Sequence, residues 1–363
     1  MANLNINILG MSFNNPVMTA AGPGAKDGDM CAAAVQGGAG GVVTKTISVA
    51  AAQVPRPCMA NTNSGFLNTE LWSELPKEQW LEKEYKRAKG AGVPMIIGVG
   101  YTTDEIAEIA PLVKPYVDAV ELSTHYVGTD ISPMINALKA AKAALDCPVF
   151  LKLSPHTDIQ AIAKAAEKAG ADGLVMINSF GPCMAIDIQT GLPIMGSKTG
   201  YGWLSGAAIR PLAIRNIFEA SQAVKIPIIG VGGVTNGRDA AEMIMAGACA
   251  VQICTEAILK GPGIYGKVAK ELNDFLDSHG YSSVEEIKGL AHRKIAERNF
   301  RTHSEPVEVD NDKCIGCKIC VTSCVYDALK VVHGKLKIHE EKCFGCGLCV
   351  TRCPRKALRI SYK

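Results

Sequence analysis

The residues in this sequence best suited to chemistry are its cysteines. Of the 14 present, eight fall within residues 314 to 353. They form two runs of equal spacing, with two residues between the first three cysteines and three residues before the fourth. The runs are Cys314, Cys317, Cys320, Cys324 and Cys343, Cys346, Cys349, Cys353. Such crowding indicates a disulfide framework or a metal site, and this regular spacing favours the metal site.

The same spacing is found in bacterial ferredoxins, where it holds two [4Fe-4S] clusters. Three cysteines of one run bind one cluster, and the fourth binds the other cluster, so that the two halves interlock. We therefore predict one cluster on Cys314, Cys317, Cys320 and Cys353, and a second on Cys343, Cys346, Cys349 and Cys324. Zinc is the alternative, but two complete four-cysteine runs in tandem are atypical of a zinc site. Thiolates of this kind persist in a reducing compartment, which predicts a cytoplasmic protein.

Composition narrows the remaining possibilities. The chain has 363 residues, 48% of them hydrophobic, and a net charge of only +3. This charge is too small to indicate a nucleic-acid surface. We see no apolar run of the roughly 18 residues that a membrane span needs, and no signal peptide at the start. The sequence therefore predicts a globular protein that binds neither nucleic acid nor membrane.

The elements that must position further chemistry lie in the first 280 residues. Short apolar runs there alternate with alanine-rich helical patterns such as Asp158–Ala169. The runs are Pro16–Ala20, Gly41–Thr46, Met95–Gly100, Ala119–Ser123, Val149–Ser154, Gly173–Ser179, Pro227–Gly233 and Ala250–Thr255. Near-continuous apolar strands between helices are typical of a parallel sheet, and eight such units fit a (β/α)8 barrel, a TIM barrel. A doubly wound open sheet is the alternative. We predict the barrel over residues 1–280, a linker over 281–305 and a small α+β dicluster ferredoxin-like domain over 306–363.

Barrel enzymes carry their functional residues at the C-terminal ends of the strands. In this sequence Lys45 and Lys152 stand at two such ends, where a buried cation needs an anion or an electron-rich ligand. A structural salt bridge is the alternative for each lysine. Gly232 and Gly233 follow the seventh strand, and Cys254 and Thr255 follow the eighth, where barrels commonly bind phosphate.

Two glycine motifs carry less weight. Residues 261–266 fit G-x-G-x-x-G but follow a helical turn, so we interpret them as the start of a helix. Residues 191–198 miss a phosphate-binding loop by one position. With no NAD(P) motif left, a flavin is the natural converter between the one-electron clusters and a two-electron substrate. A barrel with a phosphate site and lysines at its rim suits FMN.

Residues 5 to about 275 resemble the FMN-dependent dihydroorotate dehydrogenase family. With the ferredoxin-like tail, the layout is most similar to the catalytic, C-terminal part of dihydropyrimidine dehydrogenase. The stretches that carry the resemblance are Asn15-Pro16, Ala20-Ala21-Gly22, Thr44-Lys45-Thr46, Gly65-Phe66-Leu67-Asn68-Thr69-Glu70-Leu71, Glu121-Leu122, Lys152-Leu153-Ser154-Pro155, Asn178-Ser179, Thr199-Gly200-Tyr201-Gly202, Ser205-Gly206, Ala208-Ile209-Arg210-Pro211 and Gly232-Gly233.

The resemblance implies a role for each matching residue. Lys45 would contact the flavin ring and take part in catalysis, and Lys152 would stabilise the reduced ring near N1 and O2. The other residues that would hold FMN are Ala21, Thr44, Asn178, Ser205, Gly206, Gly232, Gly233, Cys254 and Thr255. The residues that would bind the substrate are Asn68, Ser123, Asn178 and Ser179, of which the asparagines offer both donors and an acceptor.

The sequence departs from the family after the fourth strand. There the family has an asparagine that binds substrate and a cysteine that transfers a proton, whereas this chain has Ser123 and Tyr126 at those positions. We predict that Tyr126 supplies the proton, with His125 as second choice; both could instead only shape the pocket. Cys183, on the long loop after the sixth strand, is the other cysteine that could approach.

The leading interpretation is an oxidoreductase that acts on a C–C or C=C bond next to a carbonyl, in a pyrimidine-like small molecule. Electrons would pass between the clusters, FMN and the substrate. A non-pyrimidine enone or enoate is the alternative substrate, and an electron-carrier subunit with a vestigial pocket is the alternative function. The predicted partner is a flavoprotein subunit or a ferredoxin, and the predicted assembly is a homodimer or a hetero-oligomer.

Overall fold

The computed structural model describes residues 2–124, 128 and 130–360. The chain divides into two compact units, Met1–Arg293 and Lys294–Lys363. The division falls within the predicted linker 281–305. The first part of that linker belongs to the first unit, because α11 (Val284–Ile287) packs two buried side chains in its core. The exact limits of the predicted domains remain a prediction. Within the described residues, no helix has the length and apolar character needed to cross a membrane.

The predicted (β/α)8 barrel is confirmed in the first unit. Its strands are β1 Ile6–Ile8, β2 Met11–Phe13, β3 Val17–Thr19, β4 Val42–Val43, β5 Met59–Asn61, β6 Phe66–Asn68, β7 Met95–Val99, β8 Ala119–Ser123, β9 Val149–Leu153, β10 Gly173–Met176, β11 Phe180–Cys183, β12 Gly202–Ser205, β13 Ile228–Val231 and β14 Ala250–Ile253. In the described chain, eight of these form one parallel sheet in the order β3-β14-β13-β10-β9-β8-β7-β4. Buried Val, Ile, Leu and Met side chains on these strands form the core.

A threonine side chain closes the barrel between β3 and β4. Here the backbone contributes a bridge between Met18 and Gly41. Beyond it, the Thr19 hydroxyl donates to the Val43 carbonyl at 2.8 Å and accepts from the Val43 N–H at 2.7 Å. The side chain thus satisfies backbone groups that a regular ladder would have paired. This closure rules out the open doubly wound sheet.

Helices connect the strands on the outside of the barrel. Besides α11 they are α1 Gly28–Gln36, α2 Lys77–Gln79, α3 Tyr85–Lys89, α4 Thr103–Val113, α5 Ser132–Ala144, α6 Ile159–Lys168, α7 Arg210–Ala223, α8 Gly237–Met245, α9 Thr255–Lys260, α10 Ile264–Ser278 and α12 Leu290–Ala296. A π-helical turn, Trp80–Glu84, joins α2 to α3. The predicted helix at 158–169 is α6, which Asp158 caps by accepting the Ala161 N–H. The glycine motif at 261–266 begins α10, as predicted.

A second, antiparallel sheet lies beyond the carboxyl ends of the barrel strands. Its order is β11-β12-β6-β5. Leu67 of β6 pairs with Leu204 of β12, and Phe66 pairs with Ser205. This sheet brings the segment that ends at Asn68 next to the loop after β10, although some 130 residues separate them in sequence.

The second unit repeats one motif twice. Each cysteine run leads into a short helix, α13 (Ile319–Thr322) or α14 (Leu348–Arg352). The strands are β15 Glu308–Val309, β16 Leu329–Val332, β17 Lys335–Ile338 and β18 Leu358–Arg359. β16 and β17 form a hairpin, whereas β15 pairs with β18 and so ties the two ends of the unit together. Its small core contains Val307, Leu329, Leu336, Cys349 and Leu358.

Candidate active site

A cavity of about 320 Å³ lies at the carboxyl ends of the barrel strands, under the antiparallel sheet. Most of the residues predicted from the sequence line it. They are Ala21, Lys45, Asn68, Ser123, Lys152, Asn178, Ser179, Ser205, Gly206, Gly232, Gly233, Cys254 and Thr255. They come from seven of the eight strand ends and from the second sheet, so the barrel brings together segments that lie far apart in sequence.

Thr44 does not reach this cavity. Its side chain is fully buried between strands, and its hydroxyl accepts the Gly98 N–H at 3.2 Å. The neighbouring Lys45 enters the cavity instead, because successive side chains of a strand alternate in direction. His125 and Tyr126 lie outside the described residues. Cys183 does not line the cavity, and its thiol lies 3.6 Å from the Phe180 carbonyl oxygen.

One end of the cavity is formed by glycines whose backbone excludes a side chain. Gly233 has a φ of +88°, and a Cβ there would lie 2.8 Å from the Gly206 carbonyl oxygen. Gly22 has no room either, since a Cβ would lie 2.5 Å from the Cys254 sulfur. Close by, the Thr255 hydroxyl donates to the Ser205 hydroxyl at 3.0 Å. Bare backbone and hydroxyl groups of this kind can approach phosphate oxygens.

Both predicted lysines line the cavity, and each also has a carboxylate partner. Lys45 Nζ lies 2.5 Å from Glu70 Oε2, with the two side chains 2% and 12% exposed. Lys152 Nζ lies 3.0 Å from Glu121 Oε1, with the side chains 7% and 0% exposed. The salt bridge considered as the alternative is therefore present in both cases. The two roles are compatible, because both lysines also line the cavity.

Glu121 also binds a second side chain inside the barrel. Its other oxygen, Oε2, accepts a hydrogen bond of 2.6 Å from Gln252 Nε2. Gln252 lies on β14, is 1% exposed and lines the cavity. Sequence reasoning missed Glu70, Glu121 and Gln252, although Glu70 and Glu121 stand within the motifs that carried the resemblance. No local signal distinguished them, because the pairing partner of each is on a different strand.

The polar groups expected to bind substrate are partly engaged with the backbone. The Asn68 amide donates to the Trp203 carbonyl at 3.1 Å, and the Asn178 amide oxygen accepts the Ser179 N–H at 2.8 Å. Each asparagine keeps donor capacity, since one amide nitrogen carries two hydrogens. Asn68 thus holds β6 against β12 as well as facing the cavity.

Two further groups near the cavity can carry a proton. Tyr101 follows β7, lines the cavity and packs on Trp72 with ring centroids 5.0 Å apart. Burial raises the pKa of Tyr101 to about 12, so its phenol stays protonated at neutral pH. Burial, with the neighbouring Glu70 carboxylate, raises the pKa of Cys58. Neither group was singled out by the sequence.

The second unit contains two small cavities, each of about 20 Å³ and each lined by four cysteines. The first is lined by Cys314, Cys317, Cys320 and Cys353, and the second by Cys324, Cys343, Cys346 and Cys349. Each set combines three cysteines of one run with the fourth of the other. All 14 cysteines are free thiols. Among the described residues, no three Cys, His, Asp or Glu side chains are placed to hold a single metal ion. The two sets of four cysteines are those that the interlocked runs predict.

Comparisons with known proteins agree with both units. The sequence profile of the family "Dihydroorotate dehydrogenase" matches residues 3–276, and that of the "4Fe-4S dicluster domain" matches residues 307–360. Similar proteins include catalytic subunits of dihydroorotate dehydrogenase B (NAD(+)). The one from Methanothermobacter thermautotrophicus is 36% identical over 302 residues, which cover 80% of this chain and 98% of that protein. The one from Methanosarcina mazei is 38% identical over 303 residues, which cover 79% of this chain and 95% of that protein.

The fold, the cavity and these matches agree with each other. The matched family covers the whole barrel, including every strand end that lines the cavity. The protein is an oxidoreductase that acts on CH–CH bonds. The chain belongs to the dihydroorotate dehydrogenase family and carries a 4Fe-4S dicluster domain after its barrel.

Proposed function

We propose that this protein uses FMN and two [4Fe-4S] clusters to interconvert a C–C and a C=C bond next to a carbonyl, in a pyrimidine-like ring. One observation carries the proposal. A single cavity combines a glycine-lined end, two buried lysines and amide side chains suited to a ring with alternating carbonyl and N–H groups. When bound, FMN exchanges a hydride with an organic substrate and single electrons with iron–sulfur clusters.

The cavity fits FMN at both of its ends. Gly232, Gly233, Cys254 and Thr255 would surround the phosphate, at the end of the cavity where Gly233 leaves no room for a side chain. Ala21, Asn178, Ser205 and Gly206 would contact the rest of the cofactor. Lys45 and Lys152 would face the ring, where a positive charge stabilises the negative charge that reduction adds.

The substrate would lie between the ring and the antiparallel sheet, next to Asn68, Ser123, Asn178 and Ser179. Reducing a polarised C=C bond requires a proton at one carbon. We propose Tyr126 as its donor, and His125 as the second candidate. Tyr101 is a further candidate, because it lines the cavity as a protonated phenol.

The cysteine-lined cavities would hold the clusters, one on Cys314, Cys317, Cys320 and Cys353, the other on Cys343, Cys346, Cys349 and Cys324. The relatives are named catalytic subunits, which supports a separate electron-transfer subunit as partner. A flavoprotein subunit or a ferredoxin would serve, in a homodimer or a hetero-oligomer. The need for a reducing compartment supports a cytoplasmic location.

A second substrate class is favoured by a specific departure from the family. Ser123 and Tyr126 replace the asparagine and cysteine of the family's loop after β8, so a non-pyrimidine enone or enoate is the alternative substrate. An electron-carrier subunit with a vestigial pocket is the third possibility. The lining by Asn68 and Asn178 argues for the pyrimidine-like ring.

An anaerobic experiment separates these possibilities. The purified protein is reduced with dithionite, excess reductant is removed, and flavin reoxidation is followed optically with uracil, thymine, orotate and simple enones or enoates. Rapid reoxidation by a pyrimidine supports the proposal. Reoxidation by an enone or enoate alone transfers the assignment to the second class. Bound flavin that nothing reoxidises contradicts both enzyme assignments and supports the carrier.

A further inference from the structure

The barrel interior contains a buried polar atom that lacks a partner. Gln252 donates from Nε2 to Glu121 Oε2 at 2.6 Å, and its oxygen Oε1 has no hydrogen-bond partner among the residues that the structure describes. The side chain is 1% exposed and lines the cavity. A buried acceptor without a donor destabilises the fold, so such an atom calls for an explanation, and a bound ligand is one.

The orientation of this amide follows from its neighbour. The Glu121 carboxylate has only acceptor atoms, so the amide NH2 group must face it, and the amide oxygen must point away. With Glu121 0% exposed and held on its other oxygen by Lys152, the carboxylate itself is fixed. Among the amide atoms of Gln252, the acceptor is therefore the one left without a partner beside the cavity.

A donor lies beside this acceptor. Lys152 Nζ and Gln252 Nε2 bind the two oxygens of one carboxylate, so both side chains converge on Glu121, and both line the cavity. A donor next to an acceptor matches a ligand edge with a carbonyl next to an N–H. The pyrimidine part of a flavin ring has such an edge at C2=O and N3–H, and N3–H is the only ring N–H of an oxidised flavin.

We propose that Gln252 Oε1 accepts the ring N3–H of bound FMN, and that Glu121 is the positioning residue that holds Gln252 and Lys152 on this edge. The inference rests on the proposed function. A pyrimidine substrate also has N–H groups beside carbonyls. The cofactor is favoured because Gln252 lies on β14, two residues before Cys254 and three residues before Thr255 of the phosphate end.

The test compares FMN with N3-methyl-FMN, which lacks the N–H. The full-length protein is stripped of flavin, and the dissociation constants of both flavins are measured for the wild type and for Gln252→Ala. We expect the wild type to bind N3-methyl-FMN about tenfold or more weakly than FMN. Gln252→Ala should bind FMN more weakly and bind the two flavins almost equally, because the acceptor is gone and the methyl group has room.

A matched control is Gln36→Ala, an exposed glutamine at the end of α1, which should discriminate as the wild type does. Equal binding of both flavins by the wild type overturns the inference. So does a Gln252→Ala variant that discriminates like the wild type. Discrimination between uracil and 3-methyluracil that disappears in Gln252→Ala, without discrimination between flavins, assigns the acceptor to the substrate. A wild type that binds no flavin refutes the proposed function itself.

Glu121 is tested by a double-mutant cycle. If it acts through Gln252, Glu121→Gln and Gln252→Ala should each weaken FMN binding, and the double variant should be little worse than the weaker single variant. Additive losses in FMN affinity would show that Glu121 does not act through Gln252. Thermal unfolding of the flavin-free variants separates a loss of binding from a loss of folding.

Discussion

Lys45 and Lys152 show how a barrel can bury cations beside a cavity. Each ammonium group lies within 3.0 Å of a carboxylate that is itself almost fully buried. Removing one member of a buried pair leaves an uncompensated charge, which costs more than the pair contributes. Each carboxylate thus offsets part of the cost of burying a positive charge in the cavity.

The Lys45–Glu70 pair can be tested by comparing the loss of one member with the replacement of both. Replacing Lys45 by Met should lower the free energy of unfolding by about 3 kcal/mol, because Glu70 is left buried and unpaired. The double variant Lys45→Met, Glu70→Gln should recover most of this stability. Flavin reduction by substrate should stay impaired in both variants, since the cation is missing from both.

Denaturant unfolding of flavin-free protein measures the free energy of unfolding, and stopped-flow absorbance measures the rate of flavin reduction by substrate. Lys89→Met is the control, because its partner Asp118 is on the surface and a surface pair contributes little. If the double variant is no more stable than Lys45→Met, the unpaired Glu70 carboxylate is not the reason for the lower free energy of unfolding.

At the scale of elements, the second unit depends on exchange between its two halves. Each short helix contains the third cysteine of its own run, yet each cysteine-lined cavity takes its fourth cysteine from the other run. β15 and β18 close the unit by pairing its first and last segments. Neither half can therefore complete a donor set alone.

This exchange predicts which cysteines act together. Cys324→Ser should remove the same cluster as Cys346→Ser, lower the iron content by roughly half and leave the flavin content unchanged. Cys183→Ser is the matched control, because that cysteine lies on β11, in the antiparallel sheet of the first unit, and should not affect iron. Iron analysis and EPR of the reduced protein measure the loss. If Cys324→Ser instead removed the EPR signal that Cys317→Ser removes, Cys324 would belong to the other cluster and the assignment would be wrong.

A second interaction between elements involves α12 and α7. His292 bonds to Ser221 at 2.8 Å and to Gln222 at 2.9 Å, and its ring lies 4.3 Å from that of Phe218. Burial is the main cause that lowers the pKa of His292, so the folded protein favours the neutral ring. The histidine thus contributes stability above its unfolded pKa of about 6.5, and this contribution is lost as the pH falls through the lowered value.

We therefore expect α12 to detach from α7 at acidic pH. Hydrogen exchange of residues 290–296, corrected for intrinsic rates, should rise between about pH 7.5 and about pH 5.5, by at most about tenfold per pH unit. Mass spectrometry of the corresponding peptide measures it. In His292→Gln the corrected rate should not change with pH, and a retained pH dependence would assign it to another group.

At the scale of the whole molecule, the barrel unit is self-sufficient in its packing. The similar catalytic subunits match over 302 and 303 residues, which is 95–98% of their own length but only 79–80% of this chain. A protein of about the length of the barrel unit therefore exists in this family. The dicluster unit adds a separate small core rather than completing that of the barrel.

A chain that ends at Glu297, which keeps all of α12, should consequently fold and bind flavin as the full-length protein does. After reduction with dithionite, its flavin should be reoxidised by the same substrates at a similar rate. Its flavin should no longer be reduced efficiently by a reduced bacterial ferredoxin, because the cysteine-lined cavities are missing. Efficient reduction of the truncated chain by ferredoxin would place electron entry in the barrel itself.

Several features could be predicted from the sequence because their information is local. The two cysteine runs predict an interlocked donor set, since the spacing within each run fixes which thiols can converge. The eight apolar runs predict parallel strands, because only strands buried on both faces are apolar throughout. The residues at the strand ends then follow, as the barrel brings all carboxyl ends to one face.

Other features were decided only by the tertiary structure. Lys45 and Glu70 are 25 residues apart, and Glu121 and Gln252 are 131 apart, so no periodicity in the sequence links them. Thr44 illustrates the converse, because its type and position suggested a ligand contact while its hydroxyl is used by Gly98 of the next strand. Spacing determines which groups one segment can present, whereas the partners of a buried charge or amide depend on which strands become neighbours. For that physical reason the sequence by itself determined the barrel, the cysteine sets and most of the cavity lining, and only the closed barrel decided how the charges inside it are paired.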